Sequence, residues 1–98
     1  GKTVELLPVI DVCNKKGAIL IGVTENLDSP LGKKSNIVLP IKIGKESDPT
    51  GLMATSSFIV TVALFDALLS ALIVKTGYTR EQFGLIHPGG AVGQLLNK

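Results

Sequence analysis

The sequence predicts an α/β fold built on a parallel sheet, and two apolar runs with a short turn-rich segment between them carry that reading. The runs "AILIGVT" (residues 18–24) and "NIVLPI" (residues 36–41) are uninterrupted and hold β-branched residues, as strands buried on both faces do. Between them "ENLDSPLGKKS" turns and predicts a short helix over 30–33. Strand, helix and strand within about two dozen residues imply a right-handed βαβ crossover. Composition agrees: of 98 residues, 45% are hydrophobic and only 4% aromatic, which describes an aliphatic core of Leu, Ile, Val and Ala in one small domain.

The remaining elements follow in chain order. "GKT" at residues 1–3 looks like the tail of a P-loop, but a P-loop needs an earlier glycine and a preceding strand, and neither is in this sequence. A glycine, a cation and a hydroxyl ahead of an amphipathic stretch still describe a phosphate site at a helix start. That stretch, 3–16, carries Val4, Leu7, Ile10 and Val12 or Cys13 at near-helical spacing and stops at Gly17. Pro8 is expected within its second turn, kinking it. After the second strand a polar loop, "GKESDPTG", leads to "SFIVTVALFDALLSALIV" (57–74), a long apolar helix. "GYTREQFGL" predicts a short helix capped at Thr79, with Glu81 and Gln82 early in it, and "IHPGGAVGQLL" a glycine-rich turn returning to a last short helix.

The long helix is about the length of a bilayer span. Asp66 sits near its middle, where a charge costs roughly 2.5–3.5 kcal/mol even on the lenient insertion scale. Flanking arginines and aromatic belts are missing, so the expectation is a helix covered by its own domain and a partner subunit rather than by lipid. The formal charge of +2 comes from dispersed lysines, and the aromatics needed to stack on bases are scarce, which argues against nucleic acid. Cys13 is the only cysteine, so no internal disulfide or metal cluster is expected, in keeping with a reducing, cytoplasmic compartment. No signal peptide is visible.

Hydroxyls gather where helices begin. "ATSS" (54–57) precedes the long helix as Thr3 precedes the first, so two helix N-termini offer side-chain oxygens beside free backbone amides. A phosphate monoester suits both. By itself, such a cluster is more often an N-cap and nothing more.

The order G-x-T-x-E, then "KESDPTGLMATSS" before an apolar helix holding D-A-L, then "HPGGAVGQLL", resembles the sugar isomerase (SIS) domain over nearly the whole chain, and within it the arabinose 5-phosphate isomerase family. The resemblance implies a three-layer, flavodoxin-like α/β sandwich with a parallel sheet, of which residues 1–98 match the C-terminal half. The family's earlier helix and strand, with their glycine-rich segment, lysine and histidine, have no counterpart here, and neither does a tandem CBS pair. Lys2 stands where the family commonly has glutamate, and Phe65 where a glycine usually precedes D-A-L.

By that resemblance Thr3, Thr55, Ser56 and Ser57 match hydroxyls of the phosphate site, with Lys2 adding charge, and Glu5, Glu46 and His87 match the acidic and imidazole positions of the chemistry. A structural role is open to each: Glu5 could oppose a helix dipole, Glu46 could be a solvated loop charge, and His87 a turn residue. The implied reaction is aldose–ketose isomerisation of D-ribulose 5-phosphate and D-arabinose 5-phosphate through an enediol. It needs a base of near-neutral pKa and an acid at the sugar oxygens, with the phosphate fixing the substrate. Glu5 or Glu46 is expected to move the proton and His87 to open the ring or polarise hydroxyls, without a metal or other cofactor. A homo-oligomer, dimer or tetramer, is implied, with a phosphosugar as ligand and no nucleic acid or membrane. The pathway could be lipopolysaccharide biosynthesis, capsule synthesis or sugar-alcohol uptake. A module that binds a phosphosugar without turning it over is the main alternative, and a structural fragment without ligand the other.

Overall fold

A computed structural model describes all residues, Gly1–Lys98. They form two compact units, Gly1–Val62 and Ala63–Lys98, divided within one long helix.

In the first unit a 3₁₀ turn, Val4–Leu6, runs into α1, Leu7–Lys15. Pro8 does not kink a helix that starts at Thr3; it lies at the start of α1, after the 3₁₀ turn. The reason is local: proline has no amide to donate and its fixed φ suits the first helical positions, so the α-helix begins there. Helix α1 ends on Gly17 (φ 64°), whose amide donates to Asn14 O while that of Ala18 donates to Cys13 O. This paired arrangement closes the last carbonyls and needs the left-handed conformation that glycine adopts freely.

Strand β1 spans Ile21–Thr24, α2 Pro30–Lys34 and β2 Ile37–Pro40. The two strands pair in parallel, Ile21 opposite Ile37 and Thr24 opposite Pro40, with α2 as the connection. Both are shorter than the apolar runs. At the start of β1 the amide of Leu20 is taken by the Asn36 side chain at 2.8 Å while its carbonyl accepts from the Asn36 and Ile37 amides at 2.9 and 3.2 Å, and the register of paired residues begins only at Ile21 opposite Ile37. Gly22 faces α2, where an added Cβ would lie 2.3 Å from Ser35 Oγ; the small residue lets helix and strand meet. Ser29 caps α2 by accepting from the Gly32 amide at 3.1 Å and is fully buried. Lys34 reaches Asp11 of α1 at 3.1 Å in a solvated ion pair.

Helix α3, Ser56–Thr76, is 21 residues long and apolar around its whole circumference, and none of its residues is buried. By length and hydropathy it could cross a membrane. Ile10 is the one large aliphatic residue buried in the chain, while Phe58, Ile59, Leu69 and Val74 of α3 are more than half exposed. A helix of this composition requires cover.

In the second unit α3 ends as α1 does. Gly77 (φ 65°) donates to Val74 O and Tyr78 to Ile73 O. Helix α4, Arg80–Ile86, opens with the expected capping box: Thr79 Oγ1 accepts from the Gln82 amide at 3.2 Å, and Gln82 Oε1 from the Thr79 amide at 2.9 Å. Helix α5, Gly90–Leu96, folds back on α4 through the buried glycines Gly84 and Gly93, and Asn97 Nδ2 donates to Gly84 O at 3.3 Å. A Cβ on Gly93 would lie 2.1 Å from the His87 carbonyl oxygen, so α5 packs directly on the backbone of the turn.

Candidate functional site

Parallel strands β1 and β2 end on the same edge, and that is where loops of an open α/β sheet assemble a ligand site. The β1 edge continues into Glu25; the β2 edge continues, through the bond from the Ile41 amide to Thr24 O at 3.2 Å, into the loop before α3.

That loop owes its shape to three carboxylates. Glu25 Oε1 accepts from the amides of Ile43 and Gly44, each at 3.3 Å. Asp48 accepts from the Thr50 amide at 2.9 Å, from the Thr50 hydroxyl and from the Met53 amide at 3.1 Å, folding the middle of the loop on itself. The Thr50 hydroxyl is the main reason that the Asp48 carboxyl lies below its ordinary value. Glu46 closes the far end: its Oε2 accepts from the Thr55 amide at 2.9 Å, the Thr55 hydroxyl at 3.0 Å and the Ser57 amide at 3.1 Å. The Thr55 hydroxyl oxygen in turn accepts from the Ser47 amide at 2.9 Å.

Glu46 therefore occupies the anion position at the start of α3, where free amides and hydroxyls favour negative charge. The Ser57 hydroxyl and amide, followed by the Thr55 amide, hold its carboxyl down to about 2 from an ordinary 4.5. A carboxyl that binds protons more weakly when folded contributes stability above its unfolded value. That contribution is therefore complete above pH 4.5, declines below it and is gone below about 2. Carbon-13 NMR of the Glu46 carboxyl should show it titrating near 2; a midpoint near 4.5 would mean that the side chain is free in solution.

The structure thus brings Glu46, Thr55 and Ser57 together, while Ser56 between them is not among the donors to Glu46. Lys2, Thr3 and Glu5 lie together at the exposed entry to α1. Thr3 is the residue before the 3₁₀ turn, but its hydroxyl makes no capping bond. Its neighbour Gly1 is placed at the carboxyl end of β1: an added Cβ would lie 2.2 Å from Ser29 Oγ and 3.0 Å from Thr24 Oγ1. His87 belongs to the second unit. It ends α4, its amide bonded to Phe83 O at 3.0 Å, and its exposed ring stacks on Phe83 with centroids 4.3 Å apart and planes 5° from parallel. No group of three or more His, Cys, Asp or Glu side chains is arranged to hold a metal.

Two loop residues were not singled out from the sequence, Glu25 and Asp48. A cleft of about 230 Å³ is lined by Glu25, Ile43, Gly44, Lys45, Glu46 and Gly51. The Asp48–Thr50 turn has a recognisable local signal in "SDPTG", an acidic residue accepting from the chain two positions on. Glu25 has none, because its partners lie 18 and 19 residues away.

A parallel α/β unit whose strand ends lead to a hydroxyl-rich helix start can receive an anion there, and comparison with known proteins gives the family. Residues 1–71 match the SIS domain, and the chain belongs to that family. It is 41% identical over 96 residues to the arabinose 5-phosphate isomerase KdsD of Pseudomonas aeruginosa, covering 98% of this chain and 29% of that protein. The chain therefore spans less than a third of the length of such relatives. Among solved structures, a Listeria monocytogenes protein provisionally named a sugar-phosphate isomerase superposes with a TM-score of 0.85 at 47% identity, over 91% of this chain and 47% of the other. A protein of Escherichia coli CFT073 solved in complex with arabinose 5-phosphate superposes at 0.84 with 32% identity, over 89% of this chain and 46% of the other. These structures bear out the α/β sandwich expected from the sequence.

Proposed function

We propose that residues 1–98 are the C-terminal part of one SIS domain in a phosphosugar aldose–ketose isomerase, acting on D-ribulose 5-phosphate and D-arabinose 5-phosphate. The observation that carries this reading is the anion position at the start of α3, where the Thr55 and Ser57 amides and the Thr55 hydroxyl already converge on one carboxylate. The names of the relatives and the arabinose 5-phosphate complex of the Escherichia coli protein support the substrate class.

In this reading Lys2, Thr3, Thr55, Ser56 and Ser57 bind the phosphate, which fixes the sugar before chemistry. A base then moves a proton between C1 and C2 through an enediol. Glu46 is too weak a base for this while it accepts from Thr55 and Ser57; release from those donors returns it toward the ordinary carboxylate range. Glu5, exposed on the 3₁₀ turn, is the other candidate. His87 opens the ring or polarises hydroxyls. The protein works as a cytoplasmic homo-oligomer in this account, and α3 is covered by protein. A phosphosugar-binding module without turnover is the second reading, and the low proton affinity of Glu46 is what favours it.

Turnover of D-ribulose 5-phosphate by the full-length protein tests the proposal, and binding without turnover would select the second reading. Within an active protein, Thr3→Val and Ser56→Ala should each raise KM about tenfold or more with the fold intact, since a hydrogen bond to a charged group contributes roughly 1.5–3 kcal/mol. Unchanged KM in both variants would remove these residues from the phosphate site.

A further inference from the structure

We infer that Glu25 is a positioning residue for this site, bracing the loop that carries Glu46; the inference rests on the phosphosugar reading above. The chain between β2 and α3 has no ladder to hold it, because the last bond between the two strands is that from Ile41 to Thr24. Two residues further, the amides of Ile43 and Gly44 both turn onto one oxygen of Glu25. Gly44 adopts φ 72°, and the Lys45 amide donates back to Ile43 O at 2.9 Å, so the backbone reverses at this point. Successive amides pointing to one side form a concave site for an anion, and here the anion is a side chain of the same protein.

Glu46 is the next residue after this reversal. Its reach to Thr55 and Ser57 depends on where the reversal is held, and Glu25 is what ties the reversal to the end of β1. Both carboxylates face the cleft that Lys45 also lines. The Glu25 bonds are exposed, so water can satisfy the amides when the carboxylate is lost, and the sheet, α2 and α3 keep their own hydrogen bonds. Removing Glu25 therefore displaces the loop without unfolding the domain.

The test uses Glu25→Ala and Glu25→Gln in the full-length protein. Glu25→Ala should lower kcat/KM for D-ribulose 5-phosphate about tenfold with an unchanged thermal midpoint, because Glu46 and the start of α3 lose their common register; glutamine keeps an oxygen acceptor and should restore most of the loss. Amide hydrogen exchange reads the brace without turnover. In Glu25→Ala it should quicken at Ile43 and Gly44 and also at Thr55 and Ser57, and in Glu25→Gln it should stay near the parent. Quickening confined to Ile43 and Gly44, or a kcat/KM equal to the parent's in an active enzyme, overturns the inference. A parent protein without turnover defeats the isomerase reading instead, and the exchange at Thr55 and Ser57 then decides the role of Glu25 by itself.

Discussion

Replacing His87 with alanine in the full-length protein should lower turnover of D-ribulose 5-phosphate about a hundredfold or more while phosphosugar binding survives. The magnitude is that of a general acid–base group, roughly 10² to 10⁴ in rate. The structure separates this effect from a folding defect. The backbone of the turn is held by the bond to Phe83 and by the close approach of Gly93 to the His87 carbonyl, and neither uses the imidazole. What alanine removes is an exposed ring and its stacking on Phe83. Glu46→Gln should lower turnover by a similar factor. Glutamine can still accept from the Thr55 and Ser57 amides but cannot serve as a base, so a similar loss of turnover with unchanged phosphosugar affinity would assign the proton transfer to Glu46. If the loss instead appears in affinity, Glu46 shapes the phosphate site and Glu5 remains as the base. Full isomerase activity in His87→Ala would remove that residue from the mechanism.

The parts of the fold that were legible in the sequence are those whose partners lie a few residues apart. Thr79 and Gln82 form a capping box because N-cap and N3 are three residues apart along the chain, and Gly17 ends α1 because the left-handed position follows the last turn directly. The apolar runs announced both strands, but their limits depend on the partner: Asn36 intercepts the Leu20 amide, so β1 starts later than its composition suggests. The hydroxyls at the start of α3 were visible as an anion site. That Glu46 already sits there was not, because a carboxylate 9 and 11 residues upstream leaves no periodic mark. The Glu25 brace is more remote still and depends on two strands ending side by side.

The 98 residues expressed alone should not fold cooperatively and should show no isomerase activity. Folding must offset a loss of chain entropy of about 1–2 kcal/mol per ordered residue, chiefly by burying apolar surface. This chain does too little of that by itself. Ile10 is its one buried large aliphatic residue, whereas Leu52, Val74 and Leu85 are roughly four-fifths exposed and α3 buries no residue along its length. The sheet has two strands, and a pair of strands is marginal in water without further strands or full helix cover. Helices α2 and α4 have side-chain N-caps, and α1 and α3 end on glycines in the left-handed conformation, so what is lacking is chiefly apolar cover. The expected result is a chain that self-associates, binds a hydrophobic dye and melts gradually, with its secondary structure retained longer than any fixed side-chain packing. The same residues within the full-length protein should show α3 amides among the slowest to exchange. A sharp two-state transition from monomeric 98-residue chain would overturn this account of its stability, and turnover by that chain would show that these residues alone complete the site.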